Sequence, residues 1–189
     1  MKQFYPDFES IHVFTLSLDF HQNELECAHC RQNDQFVSHG IIYKQRSGSF
    51  TEKVGKRIFC SNRCGRKGCG RTFQLYVANE VPSCRYGAAH LFVFIRALMA
   101  KLNIEEAYLK ATGQSESRHA WRWLKKFMVK LSEYRSFLKV RQVPQDSCAH
   151  QTRSSSRYLR HLLPTFARLL ASPHKGCAHY QMMQQRPFF

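Results

Sequence analysis

The sequence predicts a small α+β chain: a cysteine-bearing β module first, then an all-α helix-turn-helix domain, then a basic, partly helical tail. Three observations predict it. Cys27-Ala-His-Cys30 is followed about thirty residues later by a second cluster, Cys60, Cys64 and Cys69, set among β-rich segments. Ala88, Leu91, Phe92, Ile95, Leu98, Met99 and Leu102 recur at spacings of three and four, the period of an amphipathic helix. Gly113 then separates a short helical segment from a longer one rich in Arg and Lys.

Residues 1–26 read as a strand and a connection. From Ser10 to Phe20 the apolar side chains Phe14, Leu16, Leu18 and Phe20 alternate, as on a strand with one buried face, and His21 to Glu26 is polar. Residues 27–77 form the cysteine module. Phe36 to Tyr43 is β-rich, Arg46-Ser47-Gly48-Ser49 has turn chemistry, Lys56-Arg57-Ile58-Phe59 leads into Cys60, and Thr72 to Val77 follows Cys69. Two or three short strands tied by one metal make a zinc ribbon.

Zinc suits this donor set because it takes four Cys or His ligands tetrahedrally, and a structural site leaves no position open. Cys27 and Cys30 supply the first pair. Three cysteines compete for the other two places; Cys60 and Cys69 flank strands and are expected as ligands, with Cys64 the alternative on an enlarged knuckle loop. His29 and His39 are weaker substitutes. A catalytic zinc would need an open position and a nearby general base, and the segment offers neither. Cys148-Ala-His150 and Cys177-Ala-His179 share a spacing too short for a normal zinc bite, so they read as isolated cysteines and histidines.

Pro82 marks the boundary to a helical domain over 84–138. Asn103 is the expected N-cap of a helix from Ile104 to about Ala111, with Glu106 completing a capping box. Thr112-Gly113-Gln114 stops it, and Ser115 or Ser117 caps the third helix. That helix is expected to bury Trp121, Leu124, Met128 and Leu131 and to extend toward Leu138, with Trp121 in the core and Trp123 shielding a neighbour. Arg118, Arg122 and Lys125 line its opposite side. A helix, a short helix, a glycine turn and a basic helix spell a helix-turn-helix. Residues 139–189 form a basic linker and tail: Gln142 to Ser156 is rich in Ser and Gln, Tyr158 to Ala171 has helical periodicity, and Pro164 argues for a bend.

Lys and Arg total 29 against 13 Asp and Glu, a formal charge of +16. The basic side chains cluster: residues 44–71 hold nine with one acid, and 118–141 hold eight with one acid. Such patches on structured segments are the footprint of a polyanion-binding surface, double-stranded DNA above all. Residues at the start of a recognition helix reach base edges, which names Arg118 and Arg122, with Ser117 and His119 as secondary contacts. Lys53, Lys56, Arg57, Arg66 and Lys67, with Lys125 and Lys126, are expected on phosphates. An RNA-binding zinc-ribbon protein and a protein-interaction adaptor with a solvated basic face are the alternatives.

The chain's first twenty residues lack the apolar core of a signal peptide, so a cytoplasmic, nucleoid-associated protein with reduced thiols is expected, with neither membrane nor small-molecule partner.

The cysteine module with His39-Gly40, Lys56-Arg57-Ile58-Phe59-Cys60 and Cys69-Gly70-Arg71-Thr72-Phe73, followed by Ala111-Thr112-Gly113 and Arg118-His119-Ala120-Trp121-Arg122-Trp123-Leu124, resembles the N-terminal region of bacterial insertion-sequence transposases, including the InsA-like proteins of IS1-type elements. The resemblance covers residues 27–138 and departs at the second knuckle, where the usual form has two cysteines two residues apart. It implies binding to the ends of a mobile element, with repression of its promoter or positioning of a transposase; that transposase, or a second copy of this chain, is the implied protein partner. Catalysis is not expected, because strand transfer needs three carboxylates around two metals, and Asp146 is the single acid beyond residue 138.

Overall fold

The computed structural model describes residues 2–19, 25–45, 50–140, 154–171 and 176–189. Among them the chain forms a four-stranded mixed sheet bearing four clustered cysteines, and seven helices. The chain divides into two compact units: Met1–Arg85 with Gln181–Pro187, and Tyr86–Tyr180 with Phe188–Phe189.

Unit 1 contains β1 (Lys2–Tyr5), α1 (Phe8–Asp19), β2 (Phe36–Gln45), β3 (Thr51–Cys60) and β4 (Thr72–Val77). The strand order is β1-β4-β3-β2; β1 runs parallel to β4, and the other neighbours are antiparallel. Gly55 makes this register possible, since a Cβ there would lie 2.0 Å from the Leu75 carbonyl oxygen on β4. The outer edge of β1 is closed by Gln185, whose amide accepts from the Phe4 N–H at 2.7 Å and donates to the Phe4 carbonyl at 3.0 Å.

The segment Ser10 to Phe20, expected as a strand, is helical through Asp19. The alternation of Phe14, Leu16 and Leu18 is misleading, because the deeply buried positions are Ile11, Thr15 and Leu18, spaced four and three apart, while Val13 and Leu16 face outward. The helix start carries its own signal: the Asp7 carboxylate accepts from the Ser10 N–H at 2.7 Å. Packed over the sheet, α1 closes a core of Ile11, Leu18, Phe36, Ile58, Phe73 and Leu75 that is continuous with Cys27 and Cys60.

Unit 2 contains α2 (Ala88–Met99), α3 (Ile104–Thr112), α4 (Ser117–Val129), α5 (Leu131–Leu138) and α6 (Ser154–Leu170), together with the first half of α7 (Cys177–Gln184). Asn103 and Glu106 form the expected capping box, and Gly113 ends α3 in the left-handed conformation at φ 70°. The N-cap of α4 is Glu116, without a side-chain cap hydrogen bond, where Ser115 or Ser117 was expected. The inward face of α4 is Ala120, Trp123, Leu124 and Phe127, so Trp123 is the core tryptophan and Trp121 is half-buried. The helix stops at Lys130, and α5 follows as a separate element whose Leu131, Tyr134 and Leu138 point inward.

Residues expected as a tail supply much of this core. Leu162, Phe166 and Leu169 of α6 are buried, and Phe188 is 1% exposed with its ring 4.6 Å from Tyr134. Pro164 does not break α6. It removes one N–H donor, while the Arg135 guanidinium supports the preceding turn from outside by donating to the His161 carbonyl at 3.1 Å. The Arg46–Ser49 turn and residues 142–153 of the linker expected over 142–156, with Cys148 and His150, lie outside the described residues; Ser154 to Ser156, expected in that linker, form the first turn of α6.

Candidate metal centre and basic surfaces

Two chain reversals bring the four cysteines together. In the first, Arg31 N–H donates to the Cys27 carbonyl at 2.8 Å and Cys27 N–H to the Gln32 carbonyl at 2.9 Å. In the second, Gly70 N–H donates to the Cys60 carbonyl at 2.9 Å, and Cys69 N–H approaches the Cys60 sulfur at 3.4 Å. Each reversal is followed by a left-handed residue, Arg31 at φ 61° and Gly70 at φ 73°. Gly68 is fixed by space rather than by φ: a Cβ there would meet the Ser61 carbonyl oxygen at 2.3 Å and the Cys60 sulfur at 2.7 Å.

The Sγ atoms of Cys27, Cys30, Cys60 and Cys69 all lie within 4.8 Å of one another. Cys27 and Cys69 are 3.8 Å apart, and Cys30 and Cys60 are 3.7 Å apart. A tetrahedron with metal–sulfur bonds of about 2.3 Å has sulfur–sulfur edges of about 3.8 Å, so the separations suit a zinc-sized ion bound by four thiolates. Cys64 stands apart, exposed on the loop between the two sides of the second knuckle at φ 53°. His29 is exposed, and His39 packs on Phe59 at 5.3 Å; neither joins the cluster.

The thiols differ in acidity. Burial opposes ionisation of Cys27, but N–H groups of Cys30 and His29 and the neighbouring sulfurs bring it down to about 7. Burial and the adjacent thiols push Cys60 up to about 12. Binding of a cation must therefore displace a proton from Cys60, the usual coupling of metal affinity to pH.

The basic residues fall into two groups. In unit 1 Lys53, Arg57 and Lys67 are exposed, and Lys53 also lies 6.0 Å from the Phe8 ring. Arg66 is half-buried and donates to the Asp34 carbonyl at 2.8 Å, tying the second knuckle to the strand entering β2. Lys56, expected on phosphate, is 8% exposed: it shares the face of β3 with Ile58 under α1, and its ammonium donates to Thr15 Oγ1 at 2.7 Å and lies 2.8 Å from His12 Nδ1. Its period-two position decides this, since a lysine two residues before a core isoleucine points the same way.

In unit 2 Arg118, Arg122, Lys125 and Lys126 are all exposed on α4, opposite Trp123 and Phe127. His119 is half-buried, with Nε2 2.9 Å from a Glu116 carboxylate oxygen and its ring stacked near Tyr108. Ser117 opens α4, and its side chain lies outside the described residues. Lys126 sits 5.0 Å above the Phe189 ring, a contact that nothing in the helical periodicity announces. Glu116 is a further member of this surface that charge counting missed; with Ser115, Arg118, His119 and Arg122 it lines one shallow depression.

Cys177, of the Cys177-Ala-His179 spacing, is buried in unit 2 with its thiol pushed up to about 12 by burial. No helix among the described residues is long and apolar enough to cross a membrane. Comparison with family models, curated proteins and solved structures gives no match.

Proposed function

We propose that this chain is a non-catalytic, sequence-specific DNA-binding protein of a mobile genetic element, in which a structural zinc ribbon, residues 27–77, contacts phosphates and a helix-turn-helix, α3–Gly113–α4, reads base edges. The observation that carries the reading is α4: its buried face is aromatic and its exposed face presents Arg118, Arg122 and Lys125 directly after the left-handed glycine turn. Arginines near the start of such a helix are the side chains that reach guanine in the major groove.

In this reading Cys27, Cys30, Cys60 and Cys69 hold one zinc ion, which supplies folding free energy rather than chemistry. Lys53, Arg57 and Lys67 add counterion release and affinity without sequence information. The mobile-element context rests on the resemblance of residues 27–138 to insertion-sequence transposases, and the chain's role there is to occupy element ends, repressing a promoter or positioning a transposase in the cytoplasm.

Competition binding tests the class. Labelled duplex DNA selected from a random pool is displaced by unlabelled cognate duplex, scrambled duplex and structured RNA in turn. The reading predicts displacement by cognate duplex at concentrations well below those needed for the other two. Equal or better displacement by RNA would transfer the chain to the RNA-binding class, and no binding to any nucleic acid would leave the basic face as a solvated surface.

A further inference from the structure

Unit 1 contains a cavity of about 410 Å³ on the sheet face away from α1, between the end of β2 and the segment after β4. Its floor is apolar, made by Ile42, Val54, Tyr76 and Val81. Its one acid is neutralised within the wall: Lys44 Nζ lies 2.8 Å from Glu80 Oε2, and both side chains are largely buried. Arg85 and Tyr43 stand exposed among the lining residues, and Cys84 is half-buried among them.

An apolar slot with a tyrosine in its floor, a charge-neutral interior and arginine at the mouth fits a planar aromatic group joined to an anion. We infer that this cavity receives one unpaired nucleotide of a DNA strand, its base against the apolar floor with Tyr76 and its phosphate at Arg85. The inference rests on the DNA-binding reading above and adds to it a single-stranded contact that α4 does not provide. The volume suits one nucleotide, and base stacking on aromatic side chains tolerates any sequence, so the site would recognise an unpaired strand rather than a base identity.

The experiment uses the full, zinc-loaded chain with three probes: a blunt duplex, the same duplex with a short single-stranded extension, and a free nucleoside monophosphate. Affinity is read by fluorescence anisotropy, and occupancy by the rate at which iodoacetamide alkylates Cys84, followed by mass spectrometry with Cys64 as the internal reference. The extension is expected to tighten binding about tenfold, the equivalent of one stacked base, and to slow Cys84 alkylation while leaving Cys64 as it is with blunt duplex. Arg85→Ala, at an exposed position, should remove that gain and leave blunt-duplex affinity within about twofold; Val54→Phe, which fills the slot, should do the same. Equal affinity for blunt and extended duplex with unchanged Cys84 alkylation overturns the inference. Protection of Cys84 by the free nucleotide at the same concentration as by the extended strand overturns the assignment to a DNA strand. Loss of blunt-duplex binding with the extension effect intact removes the duplex-reading role and keeps the nucleotide site.

Discussion

In unit 1 two of the side chains with no exposed surface are cysteines, Cys27 and Cys60, and they stand in one cluster with Ile11, Leu18, Phe36, Ile58, Phe73 and Leu75. In unit 2 the corresponding places are filled by rings: Phe94, Trp123, Phe127, Tyr134, Phe166, Tyr180 and Phe188 meet at centroid separations between 4.6 and 6.5 Å. A small sheet with one covering helix buries little apolar area, and four thiolates around one cation would supply what the area does not. The helical unit buries large aromatic surfaces and has no such need. In the proposed reading one unit is therefore conditional on metal, and the other on packing.

The contrast is broken most severely by removing a ligand. Cys27→Ser or Cys60→Ser should release the metal and unfold the sheet, a loss on the order of 10 kcal/mol of metal-linked folding energy. Both tryptophans, Trp121 and Trp123, belong to unit 2, so their fluorescence reports on that unit alone. Chelation should accordingly abolish the β signal in circular dichroism while tryptophan emission keeps its native maximum. Cys64→Ser should leave metal content unchanged, and loss of zinc in that variant with retention in Cys60→Ser would exchange the two residues' roles.

The converse change is Phe127→Ala in unit 2. Phe127 is fully buried against Phe94, Phe166 and Phe189, and its removal should cost about 3–5 kcal/mol without altering zinc stoichiometry. Denaturant titration followed by tryptophan emission measures it. A variant that loses zinc together with helical stability would show that the two units are not separately conditional.

A smaller effect sharpens the description of the turn. Gly113 has open space around its missing Cβ, so Gly113→Ala is opposed only by the left-handed backbone, at about 1 kcal/mol. Asn103→Ala removes a cap bond of 2.8 Å to Glu106 N–H and should also cost about 1 kcal/mol. Thermal unfolding of each variant checks both, and a cost several times larger would mean that the α3–α4 connection carries packing not expressed in these hydrogen bonds.

How far the sequence spoke differed between the units for the same physical reason. Cysteine spacing is a covalent, countable signal, and the clustering of Cys27, Cys30, Cys60 and Cys69 was legible because strand-flanking positions distinguish them from Cys64. The capping box and the glycine stop were legible too, since each is a local hydrogen-bonding device. What depends on tertiary partners was not. Phe14, Leu16 and Leu18 alternate like a strand, but only the sheet beneath α1 decides that Ile11, Thr15 and Leu18 are the inward side. The choice of Trp123 over Trp121, the burial of Lys56 beneath α1, and the tolerance of Pro164 in α6 are likewise set by neighbours far away in sequence. The residues after 153 read as a tail because their composition is basic, whereas Leu162, Phe166, Leu169 and Phe188 carry their structural role.

The proposed division of labour follows the same line between the units: phosphate affinity from the metal-held unit, sequence discrimination from the aromatic one. It is tested most directly by titrating Arg122→Ala and Lys67→Ala on cognate and scrambled duplexes at several salt concentrations. Arg122 is exposed on α4 and Lys67 on the second knuckle, so neither substitution disturbs a core. The account predicts that Arg122→Ala loses about 1–3 kcal/mol of preference for the cognate site, while Lys67→Ala weakens both duplexes alike and reduces the salt slope by about one. Full discrimination in Arg122→Ala, with discrimination lost in Lys67→Ala, would contradict it.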